Sequence, residues 1–160
     1  MRKVLGIDIG GVIIDRSNDD TDTSFFSDNY LATTATDKCF ISIKTLVDHF
    51  GPENVYIVSK AGKNTERKSR EWLKHHNFYE MTGMKEENLR FCRERIEKTA
   101  ICRDLNVTHF VDDRLDVLEY MEGVVPHRFL FGPRPASWEY SPGGISSIVD
   151  WVDMVGQRFQ

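Results

Sequence analysis

Short apolar runs alternate with segments of helical periodicity along this chain, and this alternation strongly limits the folds it can adopt. The runs typical of strands lie at 4–7, 54–58, 89–92, 108–111 and 128–131. The segments whose apolar residues recur every three or four positions, and which predict helices, lie at 38–50, 65–76, 99–105, 115–121 and 145–159. Strands that alternate with helices favour a mostly parallel sheet covered by helices on both faces. We therefore predict a three-layer α/β fold.

The bulk properties predict one domain and argue against several functional classes. A chain of 160 residues with a net charge of −4 gives no strong signal for binding to nucleic acid or to a membrane surface. No apolar run approaches the ~20 residues of a membrane span, and Asp8 interrupts the short apolar stretch at the N-terminus, so we expect no signal peptide. The three cysteines, Cys39, Cys92 and Cys102, predict free thiols in a reducing compartment. We expect a cytoplasmic protein, and the oligomeric state is not predicted.

Polar residues follow three of the predicted strands. Asp8 comes after the first strand, Ser59 after the second, and Asp112 with Asp113 after the fourth. Ligands of open parallel sheets bind at the carboxyl ends of the strands, where these side chains are expected to meet. The sequence therefore predicts a functional site at this edge of the sheet.

These residue types suit chemistry on a phosphate group. Mg²⁺ prefers oxygen ligands, which Asp8, Asp113 and a backbone carbonyl near Gly10 can supply. The hydroxyl of Ser59 and the neighbouring backbone N–H groups can hold phosphate oxygens. Lys98 begins the helix that leads into the Asp112–Asp113 strand, and its ammonium can balance the negative charge. The surface lysines Lys63 and Lys68 are less well placed for this role.

Four segments together resemble the motifs of the haloacid dehalogenase (HAD) superfamily, in the same order and over nearly the whole chain. VLGIDIGGVII resembles the first motif, VYIVSK the second, Lys98 the lysine of the third, and HFVDDR the fourth. The resemblance implies a Rossmann-like, HAD-like fold and a Mg²⁺-dependent phosphatase that forms an aspartyl-phosphate. It implies catalytic roles for Asp8 and Lys98, and substrate binding by Gly11, Ser59 and Lys60. The implied metal ligands are Asp8, Gly10 and Asp113, with Asp112 in support.

The sequence departs from the phosphatase pattern at Gly10, where such enzymes usually carry a second aspartate that transfers protons. General acid–base catalysis of this kind is typically worth ~10²–10⁴-fold in rate. One alternative is a phosphatase that turns over more slowly or in which another carboxylate substitutes, the candidates being Asp15, Asp112, Asp19 and Asp20. A second is a dehalogenase, which the lack of room for a large helical cap disfavours. A third is a protein that binds metal or phosphate without turnover.

The polar segment 16–37 is predicted to be a flap or small cap, with Phe25, Phe26 and Tyr30 as anchors; a loose surface loop is the alternative. So small an insertion predicts an open site. The expected partner is a phosphorylated substrate, either a small molecule or an exposed phosphate on a macromolecule. Basic residues elsewhere, Arg95 among them, form patches that could attract an anionic substrate, although solvated helix faces are the preferred interpretation. Trp138 and Tyr140 are expected to pin the C-terminal loop.

Overall fold

The computed structural model describes residues 2–17, 21, 24–133 and 143–159, and its strands form one all-parallel sheet. The six strands are β1 (Leu5–Ile7), β2 (Val55–Lys60), β3 (Leu89–Cys92), β4 (His109–Asp112), β5 (His127–Phe131) and β6 (Ile145–Ile148). Their order across the sheet is β3-β2-β1-β4-β5-β6, so β1 lies in the interior between β2 and β4. The predicted α/β class with a parallel central sheet is confirmed.

Helices connect the strands and cover the sheet. They are α1 (Cys39–Phe50), α2 (Lys63–His75), α3 (Phe78–Thr82), α4 (Glu97–Leu105), α5 (Leu115–Tyr120) and α6 (Trp151–Val155). Single 3₁₀ turns occur at Tyr30–Ala32, Pro52–Asn54 and Glu86–Asn88. None of these helices has the length and apolar character needed to cross a membrane, a finding limited to the described residues.

The core consists of two apolar clusters, one on each face of the sheet. Successive residues of a strand point to opposite faces, and accordingly Phe110 belongs to one cluster and its neighbour Val111 to the other. The larger cluster contains Trp72 of α2 and Trp151 of α6, and the smaller one contains Leu118 of α5. Burial on both faces explains why the strands are nearly continuous apolar runs in the sequence.

The prediction of one closing helix over 145–159 is wrong in its first part. Residues Ile145–Ile148 form β6, which pairs with β5, and only Trp151–Val155 is helical. The helix begins where the Asp150 carboxylate accepts a hydrogen bond from the Asp153 N–H. The apolar spacing that predicted the helix includes Val152, which is 59% exposed and does not contribute to the core. A four-residue strand cannot be separated from a helical turn by such spacing.

The segment 16–37 packs against α2 where the structure describes it. The Trp72 indole donates a hydrogen bond to the Thr33 carbonyl at 2.8 Å, and Tyr30 contacts Phe25 edge to face at 5.9 Å. Phe25 is buried, as expected of an anchor, whereas Phe26 is 60% exposed. The described part of the segment therefore has fixed contacts with the body of the protein. Asp19, Asp20, Trp138 and Tyr140 lie outside the described residues.

Candidate active site

Asp8 lies directly after β1, and a tight turn follows it. The Asp8 N–H donates to the Val111 carbonyl of β4 at 3.0 Å, which extends the ladder by one residue. The chain then turns through 9–14, where the Ile9 carbonyl accepts hydrogen bonds from the N–H groups of Val12, Ile13 and Ile14. The turn returns the apolar residues Val12–Ile14 to the core and leaves the Asp8 carboxyl at the strand end.

Gly11 fits this turn because two conditions meet there. Its φ is +79°, in the left-handed region that favours glycine. A Cβ at this position would also lie 2.2 Å from Oδ2 of Asp113, closer than atoms can approach. Gly11 thus brings the turn against Asp113, and it is not among the described residues that line the cavity.

Lys98 lies between two buried carboxylates. It is the second residue of α4 and is 3% exposed, and its Nζ donates to Oδ1 of Asp8 at 3.0 Å and to Oδ2 of Asp112 at 2.8 Å. Burial favours the neutral amine, but the charges of Asp8 and Asp112 outweigh it, so the pKa of Lys98 is raised above its usual value. The lysine therefore remains a cation and neutralises part of the acidic cluster.

The two aspartates after β4 differ in their surroundings. Asp112 is fully buried, and both of its oxygens are engaged, Oδ1 by the Arg114 N–H and Oδ2 by Lys98. Asp113 lines the cavity next to Asp8. Burial and then the charge of Asp8 raise the pKa of both carboxyls, that of Asp113 to about 6. Such shifts show that like charges crowd together in a poorly solvated place.

The carboxylates of Asp8, Asp112 and Asp113 offer oxygen atoms that all lie within 4.8 Å of one another. This donor set fits a hard divalent cation such as Mg²⁺. Since the Asp112 oxygens already accept hydrogen bonds, the carboxylates best placed to hold a cation are those of Asp8 and Asp113. Gly10 lines the same cavity, where its carbonyl is the predicted third ligand.

The cavity at this edge of the sheet has a volume of about 200 Å³. Ser59 and Lys60, the last two residues of β2, form part of its wall beside Asp8, Lys98 and Asp113. Ser59 is buried and Lys60 is exposed. One cavity thus brings together the residues predicted for the nucleophile, the phosphate contacts and the lysine.

Sequence reasoning missed three arginines that line this cavity, namely Arg16, Arg95 and Arg114. Arg95 was named among basic residues that could attract an anionic substrate, but a solvated helix face was preferred; it precedes α4 and lines the cavity. Arg114 follows the Asp112–Asp113 pair and contacts Asp116 at 3.3 Å. Arg114 comes just after a strand and Arg95 just before a helix, both at the carboxyl edge of the sheet. These positions in the chain could have identified the two arginines.

Of the four carboxylates proposed to replace the missing second aspartate, the structure describes Asp15 and Asp112, and neither lines the cavity. Asp15 accepts a hydrogen bond from the Ser17 N–H at 2.9 Å and does not line the cavity. Asp112 is enclosed by Lys98 and the backbone of Arg114. Among the described lining residues, Asp8 and Asp113 are the ones that carry carboxylates.

Comparison with known proteins bears on the fold. No protein-family model matches the chain, and no curated protein matches it either. Two solved structures are similar over 97% of this chain and 96% of theirs, each with a TM-score of 0.61. One is a D,D-heptose 1,7-bisphosphate phosphatase from B. bronchiseptica in complex with magnesium and phosphate, at 14% identity. The other is a HAD-superfamily hydrolase from Ehrlichia chaffeensis, at 12% identity. The chain therefore has the fold of HAD-superfamily hydrolases, as its four motifs predicted.

Proposed function

We propose that the protein is a hydrolase that removes phosphate from a phosphorylated substrate through an aspartyl-phosphate at Asp8. The observation that carries this proposal is the position of Lys98, which bridges Asp8 and Asp112 beside Asp113 and Ser59 in one cavity. A carboxylate that must attack an anionic phosphoryl group needs nearby positive charge and few competing water molecules. The fold supports the proposal, because two hydrolases share it.

Each residue of the site has a separate role in the proposed reaction. Lys98 holds Oδ1 of Asp8, which leaves Oδ2 to attack phosphorus. Ser59 and Lys60 are placed to hold the phosphoryl oxygens. Mg²⁺, where Asp8 and Asp113 hold it, supplies positive charge that offsets the charge of the phosphoryl group. Water then attacks the phosphorus of the aspartyl-phosphate and restores the Asp8 carboxylate.

The test is hydrolysis of a broad panel of phosphorylated compounds, with Mg²⁺ or with EDTA, by the wild type and by Asp8→Asn. We expect metal-dependent release of phosphate that falls at least ~10³-fold in Asp8→Asn, because an amide is not a nucleophile in this reaction. Asp104→Asn is the matched control, since Asp104 is exposed near the far end of α4. It should keep the wild-type rate. Activity that survives in Asp8→Asn would contradict the proposal.

Gly10 favours a second candidate function, which is binding of metal and phosphate without turnover. A protein of this kind would bind Mg²⁺ and phosphate in a calorimetric titration and release no phosphate from any compound. The same panel therefore separates the two candidates.

A further inference from the structure

The space beside Gly10 is occupied by the side chain of Arg16. A Cβ built on Gly10 would lie 3.4 Å from Cδ of Arg16 and 3.5 Å from its Nη1. The guanidinium carbon of Arg16 lies 5.9 Å from the ring centroid of the exposed Phe26, at the cavity wall. Where a second acidic side chain would project from position 10, this protein therefore places a cation.

A guanidinium cannot serve as the proton donor of the missing aspartate. Arginine side chains stay protonated at any ordinary pH, so they stabilise an anion by hydrogen bonds and charge without giving up a proton. A leaving oxygen in contact with Arg16 is thus stabilised as an oxyanion. This suits leaving groups that are stable as anions and does not suit an alkoxide.

The charge of the cavity wall agrees with an anionic leaving group. Although the whole chain carries a net charge of −4, the described wall carries more cations than carboxylates. The cations are Arg16, Lys60, Arg95, Lys98 and Arg114, and the carboxylates are Asp8 and Asp113. Lys98 is already paired with Asp8 and Asp112, and Arg114 is paired with Asp116. The exposed side chains of Lys60 and Arg95 add further positive charge to the wall, which favours a second anionic group in the substrate.

We propose that Arg16 contacts the leaving oxygen, and that the substrates are phosphoryl compounds whose leaving group departs as a stable anion. This class comprises acyl phosphates, phosphoanhydrides and aryl phosphates. The inference rests on the proposed function. In the first step a bond forms between Oδ2 of Asp8 and phosphorus, and the bond to the leaving oxygen breaks with its electron pair, so no proton is needed. In the second step water replaces Asp8 on phosphorus, and its surplus proton passes to solvent through inorganic phosphate.

The test is the dependence of kcat/KM on the pKa of the leaving group, measured with a series of substituted phenyl phosphates, acetyl phosphate and an alkyl phosphate. Without a proton donor we expect a steep fall, approaching tenfold for each unit of leaving-group pKa, with the alkyl ester near background. Arg16→Ala should lower kcat/KM by about 10²-fold, the usual effect of removing one donor to a developing oxyanion. Arg16→Lys should recover part of that loss, because it restores a cation. Arg103→Ala, at the exposed far end of α4, is the matched control and should leave kcat/KM unchanged.

A shallow dependence on leaving-group pKa in the wild type would overturn the inference and leave the proposed function standing, because it would show that some group protonates the leaving oxygen. Arg16→Ala with wild-type kcat/KM would also overturn it. The double variant Gly10→Asp/Arg16→Ala sharpens the comparison, since it places a carboxyl at position 10 and removes the side chain that occupies the space. It should make the dependence shallower if the steepness arises from the missing acid. Absence of turnover with every compound would overturn the inference and the proposed function together.

Discussion

The most constrained residue of the candidate site is Lys98, a buried cation shared by two buried carboxylates. Both contacts are at or below 3.0 Å, and Asp112 is fully enclosed. Breaking a buried ion pair by removing one partner leaves an uncompensated charge and typically costs ~3–5 kcal/mol. The same lysine that orients Asp8 therefore also stabilises the fold at the end of three elements, β1, α4 and β4.

Lys98→Met is expected to lower the free energy of unfolding by ~3–5 kcal/mol at pH 7, because Asp8 and Asp112 lose their common partner. Urea denaturation measures the change. Lys44→Met is the matched control, because Lys44 pairs with Asp48 at 3.3 Å on the exposed face of α1, and such pairs contribute at most ~1 kcal/mol.

The double variant Lys98→Met/Asp112→Asn tests the origin of that cost. It should be less destabilised than the sum of the two single changes, because neutralising Asp112 removes one of the charges left unpaired. Equal effects of Lys98→Met and Lys44→Met on the urea midpoint would contradict the assignment of Lys98 as a structural cation.

At the scale of elements, the turn over 9–14 sets the distance between β1 and the Asp113 side chain. Gly11 and Gly123 have nearly equal φ values, +79° and +80°, but their surroundings differ. A Cβ at Gly11 would meet Asp113 at 2.2 Å, whereas a Cβ at Gly123 would meet nothing within 4 Å. Comparing substitutions at Gly11 and Gly123 therefore distinguishes the cost of backbone strain from the cost of the steric contact with Asp113.

Gly123→Ala is expected to cost ~1–2 kcal/mol, the usual penalty for a left-handed residue with a Cβ. Gly11→Ala should cost more, because it adds the clash. If Asp113 holds Mg²⁺ as proposed, the variant should also bind Mg²⁺ more weakly, because the added Cβ displaces Asp113. Thermal unfolding with and without Mg²⁺ measures both effects. If Gly11→Ala matched Gly123→Ala in stability and kept its affinity for Mg²⁺, the close approach of the turn to Asp113 would have no role.

The sequence predicts some of the strands and helices and misses others. The strands β1–β5 follow from apolar runs bounded by polar residues, and the ends of those strands bring Asp8, Ser59 and Asp113 to one edge. The strand β6 was missed because its four residues share the apolar spacing of the following helix. The contact of Arg16 with the space beside Gly10 was not predictable, because the direction of a side chain in a loop depends on tertiary contacts. The short helix α3 was missed because it follows a single left-handed residue, Asn77.

At the scale of the whole molecule, titratable groups lie at both ends of the parallel strands. The carboxyl edge holds the acidic cluster, and the amino edge holds histidines at the first positions of β4 and β5, His109 and His127, which stack at 4.6 Å. Burial, followed by the charges of His127, Lys3 and His49, lowers the pKa of His109 from 6.5 to about 4. Nδ1 of His109 lies 2.7 Å from the Thr108 hydroxyl.

The lowered pKa of His109 predicts that the stability of the protein depends on pH. His109 binds a proton below pH 6.5 when the chain is unfolded and only below about pH 4 when it is folded. The contribution of His109 to the free energy of unfolding is therefore largest above pH 6.5. It is lost as the pH falls towards 4, by up to ~3 kcal/mol. Asp112 and Asp113 act in the opposite sense, because their pKa values are raised, that of Asp113 to about 6, so their contribution to stability falls as the pH rises above 3.8.

Comparison of the wild type with a histidine variant distinguishes the effect of His109 on stability from that of the aspartates. His109→Gln should lose the histidine component, so the difference in unfolding free energy between wild type and variant should shrink as the pH falls from 7 to 4. His75→Gln, at an exposed position on α2, should keep the wild-type profile. Urea titrations at several pH values measure this, and a constant difference between wild type and His109→Gln would show that His109 does not titrate differently on folding.

The bridge made by Lys98 joins residues that are far apart in the chain. Lys98 is 90 positions from Asp8 and 14 from Asp112. Lys98 lies on α4 and Asp112 on β4, and Asp8 directly follows β1. No local segment can assemble this constellation by itself, because β1 and β4 are neighbours in the sheet but are separated by about a hundred residues of the chain. A probe that binds only when Asp8, Lys98 and Asp112 are together would therefore count native molecules in a partly refolded sample. A spectroscopic measure of helix content would also count partly folded molecules.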